Sequence, residues 1–439
     1  MMLLTSYIQA QDKNESYSFT LKEAIEHAIQ NNYLAINANR DIATAIEKRW
    51  EITTIGLPQI NGSVGYLNNF VVTKQGIAGN TFNPNADPNS ISTIAFGTKS
   101  SMNTNATLSQ LLFDGSYLVA LQSAKTYLKI SENAKIKTNQ EIKEIVINSY
   151  GNVLLADESI AILQKNMIIL NKTLNDTKET FNNGLIEEEN VEQLQITLSS
   201  FNSSLENVKR QKTIALNMLK LILGIDIEKQ LALKDKLDTL TQNNIDLALL
   251  SSEFNVTNTI DYQIGENQQT NKKLLLKLEK SKALPSIYTA VNFGYNAFSG
   301  DFSFFNGTQK WNNFSNLGVN INVPIFSSGA RSSRTQQAKI ALDQSKTQLK
   351  ETEQKLKLQY ERAKSDYEYS LEQLTTSKSN LNLAQRIETK NQIKFKEGLS
   401  SSFDLTEAQR QLYTSQQNYL QVMLDVINKK AALEKLINK

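Results

Sequence analysis

The sequence predicts an α+β membrane fold with a two-fold internal repeat, in which long helical hairpins alternate with four strands of the kind that share a β-barrel. Three observations carry this. Ala330 to Glu397 is a run of 68 residues without Gly or Pro. The same run recurs 214 positions earlier, at 116–183, interrupted only by Gly151. Four short segments outside these runs change the apolar period from about 3.6 to 2, the mark of strands rather than helices.

As a helix, 68 residues would reach roughly 100 Å. The apolar residues of the later run fall seven apart, as Tyr360, Tyr367, Leu374 and Leu381, with Leu342, Leu349, Leu356 and Ala363 out of phase with them. The earlier run repeats this as Val146, Val153, Ile160, Met167, Leu174 and Phe181, with Ala156, Leu163 and Leu170. Such paired series form the seam between two packed helices. Both runs stop at a glycine and a helical pattern resumes, so each is one arm of a hairpin. Phe181, Gly184, Leu185, Gln195 and Leu198 recur as Phe395, Gly398, Leu399, Gln409 and Leu412. A match of spacing over this length reads as duplication.

The return arms, 186–223 and 402–437, are little more than half as long as the outgoing ones. The helices at roughly 37–55 and 258–283 supply the rest. A shorter amphipathic helix occupies 19–31, with Thr20 and Glu23 spaced as a capping box. Its His27, the one histidine, is read as structural. These elements divide the chain into a signal-peptide remnant with an N-terminal segment at 1–18, a first repeat at 19–223, a connecting equatorial segment at 224–257 and a second repeat at 258–439. In the connecting segment Gln230–Leu237 reads as a short strand and 245–251 as a short helix.

The strands are expected at about 58–69, 101–113, 286–296 and 314–326. In the first, Ile60, Val64 and Tyr66 alternate with Asn61, Ser63 and Gly65; in the last, Leu317, Val319 and Ile321 alternate with Asn316, Gly318 and Asn320. A half-buried sheet in a soluble domain alternates identically. Aromatic residues near the ends (Tyr66, Phe70, Phe113, Tyr295, Phe314, Phe326) and a polar face of Asn, Ser and Gly favour a membrane barrel with a wet lumen. Between the first two strands, roughly 70–100, an Asn-, Gly- and Pro-containing stretch reads as a long loop.

Composition excludes several functions. The 439 residues carry 47 basic and 44 acidic side chains, spread along the helices, which reads as solvated helix faces and gives no nucleic-acid patch. The absence of cysteine removes disulfides, thiol nucleophiles and zinc–cysteine sites. No phosphate loop, histidine pair or triad with a recognisable spacing is present, so neither catalytic residues nor a metal or cofactor is expected. No apolar run is long enough for a membrane-spanning helix. Residues 1–10 (MMLLTSYIQA) read as the end of an export signal with Ala10 as the cleavage position.

Four strands cannot close a barrel, and open strand edges are not tolerated in lipid. Three copies give twelve strands, an even number as bacterial barrels require. Twelve helices would likewise cover each other's narrow apolar stripes.

The order of helix, Leu57-Pro58, strand, loop, strand, long helix and Gly184 hairpin, repeated through Leu284-Pro285 and Gly398, resembles the TolC family of outer-membrane efflux proteins. The resemblance covers about 19–437. It implies a homotrimer in the outer membrane of a Gram-negative bacterium, with a 12-stranded β-barrel in the lipid and a periplasmic α-barrel. It further implies an exit duct for an efflux pump or type I secretion system. Its partners would be a periplasmic adaptor, docked at the hairpin tips (Gly184, Leu185, Gly398, Leu399, Ser400), and an inner-membrane transporter. Carboxylates shortly after the second glycine line the entrance in that family. The matching positions are Asp404 and Glu407, three apart and so on one helix face, with Asn190 and Gln193 as the first-repeat equivalents. In a ring of three copies, like charges would raise their pKa values. The same acids would also favour a helix start by themselves. Where some members lock the entrance with tyrosine and arginine, this chain has Phe395 and Ser400. A periplasmic adaptor has one hairpin and a soluble β domain, and a purely structural coiled coil has no strands; both fit the sequence less well.

Overall fold

The computed structural model describes residues 16–437, so the export-signal segment lies outside the described residues. In chain order the elements are β1 (Ser16–Phe19), α1 (Leu21–Asn31), α2 (Tyr33–Thr54), β2 (Gln59–Asn68), β3 (Lys74–Ala78), β4 (Ile91–Ala95) and β5 (Ser100–Asp114). They continue as α3 (Gly115–Asn182), α4 (Glu189–Leu223), β6 (Gln230–Leu233), α5 (Leu237–Asn243), α6 (Ile260–Ser281), β7 (Ser286–Ser299), β8 (Trp311–Asn322), α7 (Ala330–Lys396) and α8 (Ser402–Ile437). The chain divides into two compact units. One comprises the residues up to Ala43, Lys129–Gln268 and those from Lys346; the other comprises Thr44–Leu128 and Gln269–Ser345.

In the helical unit, heptad positions become the core because only one stripe of each helix is apolar. Val146, Val153, Leu163 and Leu170 of α3 and Tyr367 of α7 are fully buried. One cluster joins Ala24 and Ala28 of α1, Tyr150 of α3, Leu219 and Leu223 of α4, and Met423 and Ile427 of α8. A second joins Leu163, Leu170, Leu194, Phe201 and Leu405. The capping box of α1 forms, with Glu23 N–H donating to Thr20 Oγ1 at 3.3 Å and Thr20 N–H to Glu23 Oε2 at 2.8 Å. His27 packs its ring 5.0 Å from that of Phe19.

The duplication shows in the way the repeats meet. Strands β1 and β6 pair in parallel, Ser16 with Gln230 through Phe19 with Leu233, so each residue lies beside its own repeat equivalent. Two positions beyond the ladder another equivalent pair is joined, by Leu21 N–H donating to Asp235 Oδ2 at 2.7 Å. Tyr150 seals this junction, its hydroxyl lying 2.9 Å from Asp235 Oδ2 and 3.0 Å from the Phe19 carbonyl. Strand β1 leaves no periodic signal in the sequence, because it has only four residues.

In the other unit, four strands form an antiparallel sheet in the order β2-β5-β7-β8. Its two faces differ in chemistry. One cross-strand row reads Ile60, Leu108, Val291, Leu317, and the adjacent row, on the opposite face, reads Asn61, Thr107, Asn292, Asn316. The apolar row stays open: Ile60 is 74% exposed and Leu317 70%. The polar row is laced together, Thr107 Oγ1 donating to Asn292 Oδ1 at 2.7 Å and Asn292 Nδ2 to Asn316 Oδ1 at 2.9 Å.

Several expected bounds shift. The short strand expected over Gln230–Leu237 ends at Leu233, and Leu237 instead opens α5. The last strand covers Trp311–Asn322 rather than 314–326, because Pro324 has no N–H to give the ladder. The third continues to Ser299, paired with Ser100. The stretch at 70–100 is not a bare loop: β3 and β4 form an antiparallel hairpin of their own, Lys74 opposite Ala95 and Ala78 opposite Ile91. Five-residue strands separated by twelve residues lack the short turn that marks a hairpin in sequence.

Candidate functional site

The hairpin ends bring together most of the residues singled out by spacing. Gly184 and Gly398 have φ of +70° and +71°, in the left-handed region. Each closes its helix in the same way. Gly184 N–H donates to the Phe181 carbonyl at 2.8 Å and Leu185 N–H to that of Thr180 at 3.2 Å. Gly398 N–H donates to Phe395 at 3.1 Å and Leu399 N–H to Lys394 at 2.8 Å. This is the Schellman arrangement, which satisfies carbonyls orphaned at a helix C-terminus. Leu185 and Leu399 project from the turns, 73% and 77% exposed. Phe181 and Phe395 instead pack against the cluster around Leu194 and Leu405. Ser400 Oγ is buried without a hydrogen-bond partner among the described residues.

Beyond the turns the two repeats diverge. In the first, Glu188 occupies the N-cap position without a side-chain cap, and Glu189 and Glu192 lie in the first turn of α4. In the second, Ser401 N–H donates to Asp404 Oδ2 at 3.1 Å while Asp404 N–H donates to Ser401 Oγ at 3.2 Å. This reciprocal pairing is a capping box with an aspartate in place of the usual glutamate. The hydroxyl and amide of Ser401 hold the Asp404 carboxyl below its ordinary value. Glu407 is held down by Arg410, whose Nε and Nη2 reach its two oxygens at 2.9 and 2.5 Å. Within one chain, both shifts run opposite to those expected of a like-charge ring.

Asp404 and Glu407 are exposed, whereas Leu405, Thr406, Ala408 and Gln409 are buried, so the two carboxylates do share the open face of α8. Arg410 lies on that face too and was not singled out from the sequence, although its spacing from Glu407 is that of a helical ion pair. Asn190 touches the second hairpin: its Oδ1 accepts from Ser402 N–H at 3.4 Å. Gln193 is half-buried, and no hydrogen bond joins its side chain to the other three.

Comparison with known proteins then decides the family. The model of the outer membrane efflux protein family matches residues 56–225 and 275–439. The chain belongs to that family. It is accordingly an outer-membrane protein with a periplasmic portion. The outer membrane protein TolC of Vibrio cholerae is 23% identical over 245 residues, 53% of this chain. The chain thus matches about half, 53%, of the length of that relative. Among solved structures, CusC superposes with a TM-score of 0.75 at 18% identity, covering 99% of this chain and 96% of CusC. The Campylobacter jejuni CmeC outer membrane channel gives 0.71 at 18% identity, covering 100% and 93%. At these identities the structural likeness establishes the fold, and the family match establishes descent.

Proposed function

We propose that three copies of this chain assemble into a passive exit duct, with twelve strands closing a barrel in the outer membrane and twelve long helices closing an α-barrel in the periplasm. The observation that carries the reading is the sheet. Its edge strands β2 and β8 have no partner strand on their outer sides among the described residues. Its apolar row is open, and its amide row suits water. In lipid those edges must pair, and neighbouring copies are the available strands. On this reading the hairpin turns, with Leu185 and Leu399 exposed beside Gly184, Gly398 and Ser400, dock a periplasmic adaptor coupled to an inner-membrane transporter. Asp404, Glu407, Asn190 and Gln193 line the entrance. Cargo would be delivered by an efflux pump or a type I secretion system.

Membrane fractionation followed by planar-bilayer recording tests it. The protein is expected in the outer-membrane fraction as a trimer that conducts ions. Recovery as a soluble monomer without conductance would sink the proposal.

A further inference from the structure

A cavity of 180 Å³ lies within the helical unit, between α3, α4, α7 and α8. Its lining is rich in oxygen atoms, with Gln385 and Thr389 exposed where the cavity opens to solvent. Gln385, Glu388, Thr389 and Gln392 present a stripe of oxygen-bearing side chains from α7, and Gln409 and Gln416 face it from α8. Glu388 is 8% exposed and forms no hydrogen bond or ion pair among the described residues. Gln409 is 7% exposed, and its Oε1 is buried without a partner. Lys165 at the rim of the cavity is exposed and makes no ion pair with Glu388. Phe201 and Leu412, both buried, supply an apolar wall.

A buried carboxylate without a counter-charge is strongly disfavoured, and an unpaired buried amide oxygen adds to the cost. Burial alone holds the Glu388 carboxyl above its ordinary range. Lys165 lines the cavity without pairing with Glu388, so what this carboxylate lacks is a positive charge within reach that carries several N–H donors. A divalent metal would call for more carboxylates than one. The apolar wall, with an aromatic ring able to face a cation, calls for a ligand with an aliphatic part.

We propose that this cavity binds a small primary alkylammonium ion, its nitrogen donating to Glu388 and Gln409 Oε1 and its alkyl part lying against Phe201 and Leu412. The site lies within the wall of one chain and does not depend on the duct reading. A chain that never conducts is still expected to bind.

The test is isothermal titration of n-butylammonium chloride into the full chain purified in detergent at pH 8, with a micelle-only blank. Saturable binding is expected. Glu388→Gln, which keeps shape and removes charge, should weaken it at least about tenfold, the loss of one charge-assisted hydrogen bond. Gln409→Leu should weaken it less, and Lys165→Met should leave it unchanged or tighter. Circular dichroism confirms that each variant is folded. Equal binding by Glu388→Gln, or equal heat from n-butanol, would overturn the proposal in favour of a merely apolar void. Tight binding of calcium that displaces the amine would overturn it in favour of an inorganic cation site. Loss of binding in Lys165→Met would show that the group recognised is an anion.

Discussion

At the scale of single residues, backbone conformation and local charge set the expectations. Gly224 caps α4 at φ +72°, and a Cβ there would fall 2.2 Å from the Asn31 carbonyl oxygen. Gly398 has nearly the same φ, but open space where its Cβ would be. Gly398→Ala should therefore cost only the left-handed penalty, about 1–2 kcal/mol, and Gly224→Ala distinctly more, read as midpoints in urea unfolding. Equal losses would mean that the contact with Asn31 relaxes freely. The charges of α8 give a second test. If the Asp404 face lines the entrance, replacing Asp404 and Glu407 by Asn and Gln should lower cation preference in bilayer recordings, and Arg410→Gln should raise it. Unchanged selectivity in both variants would confine these side chains to their own helix. In that case their contribution remains a matter of pH. A carboxyl held below its ordinary value stabilises the fold above that value and ceases to do so as pH falls through its depressed folded value. The Ser401–Asp404 cap should then loosen only in acid. Glu388 behaves in the opposite sense. Its raised value makes the fold less stable as pH climbs from the ordinary carboxylate range through that of the buried group. Glu388→Gln should accordingly raise the melting temperature at pH 8 and not at pH 4; a gain at both would point to packing rather than charge.

At the scale of elements, the hairpin β3–β4 pairs with no other strand among the described residues. The ladder between β2 and β5 runs from Gln59 opposite Ser109 to Asn68 opposite Ser100, independently of it. Removing Lys74–Ala95 and joining the ends through a short Gly-Ser linker should leave the main sheet and the assembly intact, since exposed loop tips tolerate such change. Loss of assembly, followed by cross-linking, would show that the hairpin supports the sheet. The long helices tolerate less. Their ion pairs, such as Lys435 with Glu144 at 2.9 Å and Lys429 with Asp366 at 3.0 Å, are partly exposed and contribute little. Their stability therefore rests on the buried stripe of Val146, Val153, Leu163 and Leu170.

For the whole molecule, the two rows of the sheet offer the sharpest test of membrane placement. Leu317 and Asn316 are neighbours on β8 facing opposite ways. If the apolar face meets lipid, Leu317→Arg should cost about 2–4 kcal/mol near the middle of the bilayer and reduce the folded protein recovered in membranes. Asn316→Arg should leave recovery unchanged and shift ion selectivity toward anions. The reverse pattern would place the amide face in lipid and overturn the barrel as proposed.

Much of this was written in one dimension. The long helices, their glycine stops and the duplication follow from local rules: a glycine that turns left-handed ends a helix, as at Gly184 and Gly398, while Gly151 keeps helical geometry inside α3, and a seven-residue apolar spacing defines a seam without reference to any partner. The alternation from Ile60 to Tyr66 likewise fixes which side chains share a face. What tertiary structure decided is what depends on residues far apart. The pairing of β1 with β6, the Tyr150–Asp235 junction and the contact of Asn190 with Ser402 join residues 214, 85 and 212 positions apart, beyond the reach of any local pattern. The same holds for the entrance. Spacing placed Asp404 and Glu407 on one face, but the folded chain shows each carboxylate already engaged, Asp404 by Ser401 of the preceding turn and Glu407 by Arg410 within the helix. The cavity around Glu388 was invisible for the same reason. In sequence that residue is one more charge on a helix with many, and only the packing of four helices takes it out of water.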